Sequence, residues 1–130
     1  MSSTWTDDEL RRIGEADEVQ ITSYRHDGSL RPYVIIWAVR HGDAVYIRSA
    51  YGPDNGWFRR AKASGTGRIR TGGVERDVAF QVPEPDVHPL LDAAYHEKYD
   101  HHGARIVNTV VGPDVTETTF RLVPAPLEPR

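Results

Sequence analysis

Tyr33-Val34-Ile35-Ile36-Trp37-Ala38-Val39, a two-residue turn at Gly42-Asp43, and a second run from Ala44 to Ser49 decide the fold of this chain. Both runs are rich in β-branched and aromatic residues, which fit the half-buried surface of a pleated sheet. Gly42-Asp43 is a short turn signal, so the two runs read as paired central strands. Upstream, Val19 to Arg25 has strand character, and Asp27-Gly28 supplies a tight-turn pair after it. Downstream, Arg68 to Arg70 and Val74 to Val82 flank Gly72-Gly73, a further hairpin signal, and Pro83 and Pro85 end the sheet. Near the end of the chain, Thr116 to Val123 alternates Thr118, Phe120 and Leu122 against Glu117, Thr119 and Arg121, as a half-buried strand does.

Helices interrupt these strands without alternating regularly with them. Thr6-Asp7-Asp8-Glu9 has capping-box spacing, and Trp5 and Leu10 occupy the two positions of a hydrophobic staple, so a short helix starts there and weakens at Gly14. Tyr51-Gly52-Pro53-Asp54-Asn55-Gly56 is a loop of turn formers that leads into a short helix from Trp57 to Ala63. Val87, Leu90, Leu91 and Ala94 recur at helical spacing between Asp86 and Asp100 and predict an amphipathic helix. Arg105 to Val111 fits helix or strand. Six strands joined mainly by hairpins, with inserted helices, define an antiparallel α+β fold, and closure into a barrel would protect its edges. The 130 residues suit one domain, with a helix inside 1–17 and a Pro-rich tail at 124–130.

Composition excludes several classes of function. No cysteine is present, which removes disulfides, thiolate nucleophiles and cysteine-based metal sites. Sixteen basic against nineteen acidic residues give a net charge of -3, no general attraction for nucleic acid or anionic membrane. The apolar run from Tyr33 to Val39 falls far short of the roughly 20 residues of a membrane span. The first residues lack the basic and apolar regions of an export signal, so a cytoplasmic location is expected. There is no Gly-x-Gly-x-x-Gly after a strand, no phosphate loop ending in Gly-Lys-Ser/Thr, and no nucleophile-elbow serine.

Two clusters carry candidate chemistry. In the first, a strand ends at Arg48-Ser49, a Gly/Pro/Asn loop follows, and Trp57 opens a helix bearing Arg59 and Arg60. Backbone amides, a hydroxyl and guanidinium groups can converge there on a phosphate. The same residues also suit a plain role, with Trp57 in the core and the arginines solvated. The second cluster is Tyr95, His96, Glu97, Tyr99, His101 and His102. Its histidines miss the i, i+4 spacing of a zinc-protease helix, because Asp100 stands four residues after His96. A divalent cation held by His96, Asp100 and His102 competes with a polar helix end whose imidazoles favour the C-terminal dipole, and no metal is assigned. Tyr95 and Tyr99 lie one turn apart, at a pocket wall or at a core edge.

From Asp27-Gly28-Ser29, through the strand pair at Trp37 and Tyr46, to Ser49-Ala50-Tyr51-Gly52 and Trp57-Phe58-Arg59-Arg60, the chain resembles the flavin- and deazaflavin-binding split-barrel superfamily. It is most similar to an uncharacterised bacterial family close to the deazaflavin-dependent nitroreductase branch, over roughly Glu18 to Pro124. It departs from that branch where Arg59-Arg60 replaces the usual Asn-Leu after the helix-opening aromatic. The resemblance implies a homodimer of six-stranded split barrels with flavin mononucleotide or a deazaflavin coenzyme at the interface. It also implies an oxidoreductase acting on a small organic molecule, with Arg48, Ser49, Trp57, Arg59 and Arg60 at the phosphate end. The catalytic candidates are Tyr95, Tyr99 and His96. The alternatives are a cofactor-free acid–base enzyme on the same fold and a non-catalytic small-molecule binder.

Overall fold

The computed structural model describes residues 4–50 and 55–125. The elements follow in the order α1 (Asp7–Glu15), β1 (Val19–Ser23), β2 (Val34–Ile36), β3 (Ala38–His41), β4 (Ala44–Arg48), α2 (Gly56–Ser64), β5 (Thr66–Thr71), β6 (Val74–Gln81), α3 (His88–Tyr99), α4 (Ala104–Val107) and β7 (Thr119–Pro124). Short 3₁₀ turns fill Pro85–Val87, Asp100–His102, Asn108–Val110 and Pro113–Thr118. All strands pair antiparallel in one sheet of order β2-β1-β5-β6-β7-β4-β3. The antiparallel α+β reading stands.

The sheet has seven strands where six are expected, because the run from Tyr33 to Val39 divides at Trp37. Val34–Ile36 pairs with β1, while Ala38–His41 pairs with β4. The two halves of one sequence run therefore form the two edges of the sheet, and a single residue carries the chain across the seam. The Trp37 ring stacks on Tyr99 at 4.0 Å with an interplanar angle of 4°. An edge strand offers unpaired backbone groups to any passing chain. Here the Tyr99 hydroxyl accepts from the Ala38 amide (3.2 Å) and donates to the Ala38 carbonyl (3.1 Å), while Lys98 Nζ donates to that same carbonyl (2.7 Å). Side chains of α3 thus close what the backbone ladder leaves open.

The turns and helices follow local chemistry. Gly72 and Gly73 both take positive φ (43° and 92°), the conformation a two-residue turn between β5 and β6 demands. The connection from β1 to β2 is wider than a tight hairpin, with an isolated bridge between Tyr24 and Leu30. The capping box of α1 forms: Glu9 N donates to Thr6 Oγ1 (3.0 Å) and Thr6 N to Glu9 Oε1 (2.9 Å). Trp5 is buried with Leu10 in one cluster, and its indole N–H donates to Leu122 O (3.3 Å). Arg105 to Val110 resolves as helix, in α4 and the turn after it, Val111 is extended, and the last strand begins at Thr119, three residues later than the alternation predicts.

Two cores result. The barrel interior holds Ile21, Val45, Ile47, Ile69, Val78, Phe120 and Leu122, sealed by α1 and by Phe58 of α2. On the outer face of β3 and β4, a second core forms from Val39, Tyr46, Leu91, Tyr95, Tyr99, Val107 and Val110 under α3 and α4. Strand alternation assigns β4 to both: Val45 and Ile47 point inward, Ala44 and Tyr46 outward. Among the described residues, no helix is long and apolar enough to cross a membrane.

Candidate functional site

Arg48 ends β4 on the outward side, so its guanidinium enters the second core. It is fully buried there, and every N–H has an acceptor within the chain. Nε donates to Thr119 Oγ1 (3.1 Å), Nη1 to Asp92 Oδ1 (2.6 Å) and Val110 O (2.8 Å), and Nη2 to His88 Nδ1 (3.3 Å) and His88 O (3.4 Å). Burial, reinforced by the Arg48 charge, holds the His88 imidazole below its ordinary value, which fits a neutral ring accepting at Nδ1. Ser49 is buried and joined to Thr118 by two bonds, Ser49 N to Thr118 O (2.9 Å) and Thr118 Oγ1 to Ser49 O (3.2 Å). These two residues hold β4, β7 and α3 together.

Trp57, Arg59 and Arg60 come together elsewhere, on α2. The loop before this helix at 51–54 lies outside the described residues. α2 begins at Gly56 with Asn55 as N-cap, no side-chain capping bond and no acidic residue in its first turn. Among the described residues, no carboxylate of the first turn compensates the positive end that its N-terminal amides make. Arg59 and Arg60 are exposed, and neither guanidinium has an acceptor among the described residues. Arg60 folds back over the helix start: a Cβ on Gly56 would lie 2.8 Å from Arg60 Nη1. The absence of a side chain at Gly56 lets that charge sit on the helix N-terminus.

Arg31, from the loop between β1 and β2, completes the cluster. It lines an open groove with Gly56, Arg59, Arg60 and Lys62, and also a narrow cavity beneath, with Thr22, Pro32, Trp57 and Phe80. Its Nε is buried without a hydrogen-bond partner among the described residues, a costly state for a donor on a charged group. Trp57 is half-buried, edge-on to Phe58 at 6.0 Å. The groove thus offers four cationic side chains beside a helix N-terminus, a set that can hold an anion such as a phosphate, and the cavity beneath adds the Trp57 ring. Sequence reasoning missed Arg31, which carries no local motif.

The catalytic candidates sit apart from this groove. Tyr95 and Tyr99 are wholly buried and stack at 6.0 Å. Burial raises both phenols, and the Tyr95 hydroxyl has no hydrogen-bond partner among the described residues. Burial also pulls the Lys98 ammonium down to about 8. His96 is exposed and bonded to Asp100 (2.8 Å). His102 turns instead to Asp17 (2.8 Å). The His96, Asp100 and His102 trio considered from sequence is therefore divided between two partners.

A nearly closed antiparallel barrel with a seam, helices on its outer face and a cationic groove at one helix start defines a split-barrel protein. A family-level match spanning residues 9–122 shows that the chain belongs to a family described as an uncharacterized protein conserved in bacteria (DUF2255). No curated protein sequence matches it. Among solved structures, it is similar to the heme storage protein HutZ from Vibrio cholerae (13% identity, 92% of this chain and 90% of that one, TM-score 0.62). It is also similar to an F420-H2-dependent reductase (18% identity, 82% and 93%, TM-score 0.61) and to a protein described as a domain-swapped dimer (18% identity, 83% and 81%, TM-score 0.62). At these identities the likeness establishes the fold.

Proposed function

We propose that this protein is a flavin- or deazaflavin-dependent oxidoreductase acting on a small organic molecule, and that it works as a homodimer. The observation that carries the reading is the groove at α2, where Arg59 and Arg60 stand unpaired among the described residues beside an uncapped helix N-terminus and Arg31 keeps a buried, unsatisfied Nε. Arg31, Arg59, Arg60 and the first amides of α2 hold the cofactor's phosphate end, with Trp57 beside them. Arg48 and Ser49 act as framework outside this groove, because Arg48 spends all its donors inside the chain. The cofactor supplies hydride transfer, and the protein supplies binding, orientation and charge. The similar structures, one of them an F420-H2-dependent reductase and one a domain-swapped dimer, support both the chemistry and the assembly.

The test is a titration of the purified protein with flavin mononucleotide and with the deazaflavin coenzyme, followed by fluorescence, alongside light scattering. A dimer mass and binding that weakens as salt rises are expected, since the arginines are exposed. Absence of binding by either cofactor up to about a millimolar, near -4 kcal/mol, overturns the reading.

A further inference from the structure

We propose that Asp17, His101 and His102 form a binding site for a divalent first-row transition metal, with zinc as the reference ion. Asp17 lies in the turn between α1 and β1. His101 and His102 occupy the 3₁₀ turn that ends α3, 84 and 85 positions further along the chain. Their ligand atoms converge within 4.8 Å of one another. Asp17 Oδ1 is 2.8 Å from His102 Nε2 and 3.8 Å from His101 Nε2. Zinc binds imidazole nitrogen and carboxylate oxygen at about 2.0–2.2 Å, so tetrahedral ligand atoms stand about 3.4 Å apart. The two distances bracket that value, and all three ligand atoms lie within 4.8 Å of one another, so a metal enters once the imidazoles draw together.

The donors are also oriented. The His102 ring stacks on Trp37 at 5.2 Å and lies 6.0 Å from Tyr99, so the aromatic pair at the seam fixes it, and the His101 ring lies 4.2 Å from His102. Two imidazoles and one carboxylate suit zinc, nickel, cobalt or iron(II) over magnesium or calcium, which prefer all-oxygen sites. Three protein ligands at an exposed position leave coordination sites open to water or a solute. The Lys98 charge is felt at Asp17 and opposes the metal, but its ammonium is committed to Ala38 O and Ile13 O. A bound ion ties the α1–β1 turn to the end of α3, directly across the seam.

The proposal stands apart from the cofactor groove and is tested apart from it. Chelator-treated protein is titrated with zinc by calorimetry, and its thermal melting is followed with and without zinc. Wild type is expected to bind one zinc with Kd below about 10 µM and to melt higher with zinc. His101→Ala keeps the bond between Asp17 and His102 and hence the fold, while losing at least about tenfold in affinity along with the zinc-dependent rise in melting temperature. His102→Ala loses as much, and His26→Ala, outside the cluster, binds as wild type. Zinc binding weaker than about 10 µM, or binding that His101→Ala and His102→Ala both retain, overturns the site.

Discussion

Between Arg48 and Arg60 the chain treats arginine in two opposite ways. Arg48 is sealed in the second core with five hydrogen bonds, whereas twelve positions on, Arg60 lies in solvent over the start of α2. Arg76 is likewise buried and is tied to the chain through its two terminal nitrogens. It is buried under Trp5, with Nη1 donating to Glu9 Oε1 (2.6 Å) and Thr4 O (3.1 Å) and Nη2 to Ala125 O (3.0 Å). A guanidinium that has exchanged all its water for protein acceptors is a structural tie, and its removal strands the groups around it. One that remains solvated beside a helix N-terminus can exchange water for a ligand. Position in the chain does not distinguish them; the acceptors they meet do.

The largest effect is expected from Arg48→Ala. It strands the Val110 carbonyl in the interior and leaves Asp92 without its cation, a loss of about 3–5 kcal/mol in urea unfolding. Arg48→Met fills the space and is expected to fold with a smaller loss and unchanged cofactor affinity. Should Arg48→Met fold normally yet lose the cofactor, the division between the two kinds of arginine collapses. Arg59→Ala and Arg60→Ala are next. Each is expected to weaken cofactor binding by roughly 10- to 100-fold. Each should leave stability within about 0.5 kcal/mol. Gly56→Ala sharpens the contrast further: its methyl pushes Arg60 off the helix N-terminus, so affinity is expected to fall several-fold while the melting temperature holds or rises.

The smallest effect concerns pH. Because the folded His88 value lies below its unfolded value near 6.5, the unfolded chain takes up the proton first, and stability is lost as pH falls through that region. Urea midpoints measured from pH 7.5 to 5 are expected to decline in wild type and to flatten in His88→Gln. The carboxyls of Asp17 and Asp77, both held low, contribute only at more acidic pH. An unchanged slope in His88→Gln would detach His88 from the Arg48 network.

The strands were legible because β-branched runs and glycine turns are local signals. The division at Trp37 was not, since both halves of Tyr33–Val39 are equally suited to a strand and only their partners, β1 and β4, differ. The helix bearing Trp57, Arg59 and Arg60 was legible from the turn formers before it. The burial of Arg48 was invisible for a different reason. Its acceptors Asp92, Val110 and Thr119 lie 44, 62 and 71 positions away, and nothing in the local sequence announces them. Arg31 stood in an unremarked loop, and only the fold brings it against α2.

The place of β7 bears on how the chain is made. Synthesis delivers α1 to β6 first, with β3 paired to β4, β1 to β2 and β5, and β5 to β6, yet β4 and β6 have no common partner until Thr119–Pro124 arrives between them. Until then the nascent protein is two sheet fragments joined through Trp37, each with an unpaired strand edge open to neighbouring chains. The barrel is therefore completed by a strand produced after the other six, and a chain stopped short of Thr119 is expected to be handled by the cell as unfinished, whatever the merits of its earlier strands.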